Sequence, residues 1–299
     1  MSVPVTVVLP TCNAGNRFRE CAEILAKQSA NIAEVLVIDS SSDDETVDIA
    51  KDYGFHVEVI AKPYFGHGKT RQYALEKAQT EIVVFMTQDA LLKDECSVQK
   101  LVDFLLSDEA LVAVYGRQLP YPHTGPLGSF ARLYNYPDYS FINTFADKKK
   151  KGIKTGCTTM VNRALLNMLG RKPENTIMHD MWLALVAAAF GKIYFINKST
   201  ILYRQHGNNS NGAKNVTSAD YLVEKITHLK EVHKSLGEHY RQADEFLEIF
   251  KERLSTNQII MLDSYSKMDS YCLLKKIRVL KRFDLFKVGF IRVIGQIVC

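Results

Sequence analysis

The sequence has little of what would build a metal finger, a secreted disulfide scaffold or a membrane span. Its six cysteines, Cys12, Cys21, Cys96, Cys157, Cys272 and Cys299, are widely scattered, with no Cys-x-x-Cys and no close Cys/His pair. That argues against a structural zinc site and against a disulfide framework. No run reaches the roughly 20 apolar residues that cross a bilayer. The opening MSVPVTVVLP has no basic region ahead of a long apolar stretch, so it does not read as a signal peptide. The expected location is the cytoplasm, or the inner face of a membrane. Two nucleotide fingerprints are missing as well. The first turn, Pro10-Thr11-Cys12-Asn13-Ala14-Gly15, is not GxGxxG, and Gly66-His67-Gly68-Lys69-Thr70 lacks the leading glycine of GxxxxGK[ST]. Both absences speak against a Rossmann dinucleotide fingerprint and a P-loop hydrolase.

What is present can bury a large core: 46% of the 299 residues are hydrophobic, and the formal net charge is only +5. Up to Tyr115, short apolar runs alternate with amphipathic ones, the signature of an α/β sheet. Strands are expected at 5–9, 35–38, 56–60, 82–86 and 111–115, with helices at 17–28, 45–53, 69–78 and 97–106. Strands this apolar belong in a sheet covered on both faces, and such sheets bind ligands beyond the strands' carboxyl ends. Attention therefore falls on 10–16, 39–44, 63–71 and 87–94. From 117 to 154 the chain is rich in Pro, Gly, Asn and aromatics, a lid-like excursion. A return to the sheet is expected at 155–161, a buried apolar helix at 181–190, and two strands, 192–196 and 200–204, joined through Asn197 and Lys198. Periodic stretches at 221–236 and 243–254 then begin a helical tail.

Several polar residues sit where chemistry needs them. Asp39 closes the second strand, where a carboxylate can accept from a base N–H or a ribose hydroxyl; Asp43 reads as the cap of the next helix. Lys69 or Arg71, beside a helix start, adds positive charge for a diphosphate. In Thr87-Gln88-Asp89 the carboxylate can hold Mg²⁺ or Mn²⁺ bridging phosphate oxygens, or cap the following helix. Asp180, in His179-Asp180-Met181-Trp182, can act as general base toward an acceptor hydroxyl or cap its helix. Trp182 either walls a sugar pocket or joins the core. His206, in Tyr203–Ser210, offers a ring nitrogen to a metal or is a surface polar residue.

In their order and spacing, VVLPTCNAG, VLVIDSSSDDET, FGHGKTRQYAL, VVFMTQDALL, VYGRQLPYP, ARLYNYP, HDMWLALVAAAFGKIYFI and ILYRQHGNNSNGA resemble the family 2 inverting glycosyltransferases of GT-A fold, and most closely their bacterial rhamnosyltransferase-like branch. The resemblance runs from about Val5 to Ser210. It implies a GT-A-type, Rossmann-like, mostly parallel sheet flanked by helices over 1–215, with a nucleotide-sugar half to about 115 and an acceptor-side half after it. A C-terminal helical extension, 216–299, follows. It also implies that Thr11, Asn13, Asp39, Arg71 and Gln88 bind the nucleotide sugar. Asp89 and His206 would attend Mg²⁺ or Mn²⁺, and Asp180 would be the catalytic base. The implied donor is dTDP-L-rhamnose and the implied acceptor a cell-surface polysaccharide or lipid-linked glycan. This chain departs from the family pattern twice. Only the last acid of the DxD motif remains, at Asp89, and His179 replaces the acid that precedes the base.

The tail from Tyr271 to Cys299 has seven Lys or Arg residues and one acid, Asp284. Leu273, Ile277 and Leu280 share one helical face; Phe286, Phe290, Val293 and Ile297 share another. A phase shift near Phe283 and Asp284 implies two short helices. Their apolar faces could meet an anionic membrane, the catalytic domain or a second subunit in a homo-oligomer. A nonenzymatic nucleotide-sugar or carbohydrate-binding scaffold is the alternative function, motivated by the depleted acidic motif. Nucleic acid is not an expected partner, since no zinc-finger spacing or stacking motif accompanies the positive charge.

Overall fold

The computed structural model describes residues 2–121, 159–169, 173–204, 229–287 and 290–298. They contain one eight-stranded sheet of order β3-β2-β1-β4-β7-β6-β8-β5. Four strands pair in parallel: β1 (Val5–Thr11), β2 (Ile32–Asp39), β3 (His56–Val59) and β4 (Ile82–Phe85). They are linked by α1 (Phe18–Ala26), α2 (Thr46–Asp52) and α3 (His67–Lys77). From β1 the chain builds outward through β2 to β3, then returns to place β4 on the other side of β1. That reversal opens a crevice at the carboxyl ends of β1 and β4, where sheets of this kind bind ligands.

Beyond β4, β7 (Thr159–Asn162) runs antiparallel to β4 and to β6 (Leu111–Tyr121), and β6 pairs in parallel with β8 (Lys192–Arg204). The short β5 (Ala90–Leu92) is antiparallel to β8 at the edge. The sheet is thus mostly parallel. In its core Val5, Val7, Leu9, Val37 and Val84 cluster with Phe18, Cys21, Ala22 and Leu25 of α1 and Val98, Leu101 and Leu105 of α4 (Ser97–Leu105). The i, i+3, i+4, i+7 spacing of the α1 set is what lets one face of that helix bury.

Several elements differ from the sequence reading: β6 runs on to Tyr121, through the first residues of the expected lid, and the helix Arg163–Met168 was not anticipated. The two strands expected at 192–196 and 200–204 are one, because Asn197 and Lys198 form an irregularity in the pairing: Gly116 opposes Ile196 and Arg117 opposes Ser199. β5 was not anticipated. The helices expected at 221–236 and 243–254 are, within the described residues, one helix α7 (Leu229–Phe250), which runs through Gly237. Its apolar stripe of Leu236, Tyr240, Ala243, Phe246 and Phe250 is buried without interruption, and this outweighs the cost of roughly 1 kcal/mol for one helical glycine.

The chain divides into two compact units that interleave along the sequence. One comprises, of the described residues, 2–121, 159–168 and 178–204; it holds the sheet, α5 (Arg163–Met168) and α6 (His179–Phe190). The other comprises 169, 173–177, 229–287 and 290–298 and is helical: α7, α8 (Thr256–Ser266), α9 (Leu273–Arg282) and α10 (Phe290–Val298). In this unit Tyr240 and Tyr265 meet edge to face at 5.1 Å, and Ser255 and Gln258 form a capping box at the start of α8. α9 and α10 are the two short helices expected of the tail, broken where Asp284 takes φ 51°. No helix among the described residues is long and apolar enough to cross a membrane.

Candidate active site

At the carboxyl ends of β2, β1 and β4 the turns are tied together by side chains. Asp39 is fully buried. Its carboxylate accepts the Thr11 hydroxyl at 2.8 Å, the Ser42 hydroxyl at 2.6 Å and the Ser42 amide at 2.8 Å. Ser42 Oγ in turn accepts the Asn13 amide at 2.8 Å, and Asn13 Oδ1 accepts the Asp43 amide at 3.0 Å. Asn13 and Ser41 both adopt positive φ, 45° and 51°, which turns the chain sharply at this edge. Across the crevice, Gln88 grips the backbone of Cys12 twice: Oε1 accepts its N–H at 2.7 Å and Nε2 donates to its carbonyl at 3.0 Å. The three strand ends therefore form one preorganised rim.

Thr11, Asn13 and Asp39, expected to bind a nucleotide sugar, are thereby brought into a single network, and Gln88, expected to do the same, holds the backbone of Cys12 between Thr11 and Asn13. Ser42 was not singled out as a ligand residue, though it bridges Asp39 to Asn13; its place in a serine and aspartate run after a strand was the available signal. The cap expected of Asp43 is not formed: Glu45 holds the position before α2 and makes no side-chain cap bond. Asp44 accepts the Thr46 amide at 3.0 Å and the Gly15 amide at 2.8 Å, whereas Asp43 is exposed near Lys62. Burial pushes the Asp44 carboxyl up, but the bonds from Thr46 and Gly15 outweigh it and hold the group below its usual range.

A second cluster lies over β4 and β6. α6 begins at His179, whose ring meets Phe85 of β4 edge to face at 5.2 Å. Asp180 is in the first turn, 8% exposed, and its Oδ1 accepts the Met181 amide at 2.9 Å. The residue preceding the helix is Met178, so Asp180 does not occupy the cap position. Trp182 is 3% exposed, a core residue rather than an open wall. Burial, and next the nearby Asp180 charge, push the Tyr115 phenol upward, although a hydrogen bond with Thr159 opposes them. Tyr115 and Thr159 are direct partners on β6 and β7. Neither was recognised from sequence, since a Tyr in an apolar strand reads as core.

His179 is pushed down to about 3, first by burial and then by the Arg71 charge. It is therefore neutral near pH 7, resolving the ambiguity of the sequence, and its Nε2 has no hydrogen-bond partner among the described residues. Arg71, 8% exposed on the second turn of α3, thus belongs to this cluster as well.

Asp89 lies partly buried in the turn closed by the Ala90 amide donating to the Thr87 carbonyl at 3.0 Å. Among the described residues no three His, Cys, Asp or Glu side chains converge on a common point. A single carboxylate beside a diphosphate still suits Mg²⁺, which keeps water and phosphate oxygens as its other ligands. His206 lies outside the described residues, as does most of the expected lid.

Comparison with known proteins agrees with this architecture. The chain is 37% identical over 186 residues to the O-antigen chain rhamnosyltransferase WbaN of Salmonella anatum, and 36% identical over 187 residues to RfbN of Salmonella typhimurium, of the same description. Each match covers 60% of this chain and 59% of the relative, so it spans little more than half of those proteins. Among solved structures, Staphylococcus aureus TarS 1–349 superposes with a TM-score of 0.56 at 17% identity, covering 94% of this chain and 82% of that one. The same fragment in complex with UDP-GlcNAc gives 0.55 at 16%, covering 94% and 83%. The GT-A fold is shared. Because the family model "Glycosyl transferase family 2" matches residues 6–170, more than half of the 299, the chain belongs to glycosyl transferase family 2.

Proposed function

We propose that the protein is an inverting glycosyltransferase moving L-rhamnose from dTDP-L-rhamnose to a hydroxyl of a cell-surface polysaccharide acceptor. The single observation that carries the chemistry is Asp180, a carboxylate buried at the start of α6 beside Tyr115, in the same unit as the strand-end rim. The sugar and the polymer rest on the names of the two Salmonella relatives. A nucleotide-sugar donor is further supported by the TarS complex with UDP-GlcNAc, a protein of the same fold.

In this reading the donor's nucleoside lies along the rim of Thr11, Asn13 and Asp39, held together by the Thr11–Asp39 hydrogen bond and by Ser42, which bonds both Asp39 and Asn13. Arg71 stands toward the diphosphate. Asp89 would hold a divalent cation, which supplies positive charge to the phosphates when bound. Asp180 takes the proton of the acceptor hydroxyl. The acceptor oxygen attacks the anomeric carbon from the face opposite the diphosphate, a new C–O bond forms, and the bond to the diphosphate oxygen breaks with inversion. The neutral His179 leaves Asp180 as the only acid of the pair, so the proton has a single destination.

A panel of nucleotide sugars, assayed for hydrolysis and transfer with Mg²⁺, Mn²⁺ or chelator, tests the donor. Selective turnover of dTDP-L-rhamnose is expected. Asp180→Asn should lower transfer by about 10³-fold or more with donor affinity retained, as expected when a positioned base is lost with orientation intact. Near-normal turnover in that variant would remove Asp180 from the mechanism.

A further inference from the structure

The burial of α9 separates its two faces. Leu280 is fully buried, Lys276 and Val279 are less than a tenth exposed, and Ile277 is half-buried, so this side packs within the helical unit. Of the stripe Leu273, Ile277 and Leu280 that the sequence offered to a membrane, Leu280 is buried in that packing, Ile277 is half-buried and Leu273, at the helix start, is 50% exposed. The outward side instead carries Lys275, Arg278, Lys281 and Arg282, all exposed, and the ten-residue helix contains no acid. Positions i, i+3, i+6 and i+7 lie along one helical face, so the four charges form a strip.

Apolar and aromatic groups flank that strip. At its amino end Leu274, on the same face as the strip, is 74% exposed. The Lys275 ammonium lies 3.7 Å from the centroid of the Tyr271 ring, and the Arg282 guanidinium 5.0 Å from that of Phe283. Like charges crowded on one helix repel, and a protruding leucine gains nothing from water. A surface with anionic headgroups above an apolar layer satisfies both: the cations meet the phosphates and Leu274 leaves water. A nucleic acid would answer the charge alone.

We propose that the outward face of α9 binds the anionic phospholipid surface of a bilayer, with Lys275, Arg278, Lys281 and Arg282 at the headgroups and Leu274 below them. This depends on neither the donor sugar nor Asp180. It is tested with the full chain by co-sedimentation with vesicles of equimolar phosphatidylcholine and phosphatidylglycerol, against phosphatidylcholine alone. Binding to the anionic vesicles only, weakened by added salt, is expected. Arg278→Glu with Lys281→Glu should reduce partitioning about tenfold or more. Leu274→Ser should reduce it about threefold or more. Lys27→Glu with Lys51→Glu, the same change of net charge at exposed sites on the sheet-bearing unit, should leave it unchanged. Absent vesicle binding, an equal loss in the Lys27/Lys51 variant, or unchanged binding in Leu274→Ser would each overturn the proposal, the last in favour of a soluble polyanion.

Discussion

At the scale of single residues, His179 shows how burial decides a charge. Its folded state takes up a proton only at about 3, whereas the unfolded chain does so near 6.5. Between those values the unfolded chain binds the extra proton, so stability falls as pH drops through the window, by at most about 1.4 kcal/mol per pH unit from this group. His179→Gln, which keeps a polar side chain but cannot titrate, should therefore flatten the decline in urea midpoint between pH 7 and 5. Parallel wild-type and variant curves would mean that His179 is not buried in its neutral form. None of this was legible in the sequence, because an unperturbed histidine sits close enough to neutrality to go either way. Asp39 is the complementary case. Its position after an apolar strand was readable, but not that Thr11 and Ser42 already occupy much of its carboxylate, since both bonds depend on how distant turns meet.

At the scale of elements, the first four parallel strands and the helices between them were legible, because each carries its own apolar run or stripe. β5 and the continuous β8 were not, because their existence depends on a neighbour: three residues after Asp89 become a strand only by pairing with β8. The β6/β8 contact is the tightest of these. A Cβ on Gly116 would overlap Thr200 Oγ1, a buried hydroxyl with no partner among the described residues. Gly116→Ala should cost about 3 kcal/mol by overpacking. Adding Thr200→Ala should recover part of it, since the hydroxyl it removes makes no bond that is lost. Chemical denaturation of the three variants measures the coupling, and strictly additive losses would show that the two side chains do not compete for that space.

At the scale of the whole molecule, the interleaved chain links the helical unit through the backbone to the start of α6, which carries the proposed base. Residues 173–177 belong to the helical unit and lead directly into His179 and Asp180. Their amides end on α7: Glu174 and Asn175 each donate to the Glu245 carboxylate at 2.6 Å, and Ile177 donates to Gln242 at 3.0 Å. Glu245 is only 5% exposed, so its removal would leave two amides without their acceptor in a poorly hydrated place. Glu245→Ala should destabilise the chain by about 3 kcal/mol. Its effect on catalysis should be selective. The rim proposed to hold the donor is built at the ends of β1, β2 and β4 and does not include 173–177, so donor affinity should persist while kcat falls as the start of α6 loosens. Glu245→Gln, whose carbonyl oxygen can still accept, should recover part of the rate. A folded Glu245→Ala protein with unchanged kcat would show that the position of Asp180 is set within the sheet-bearing unit alone.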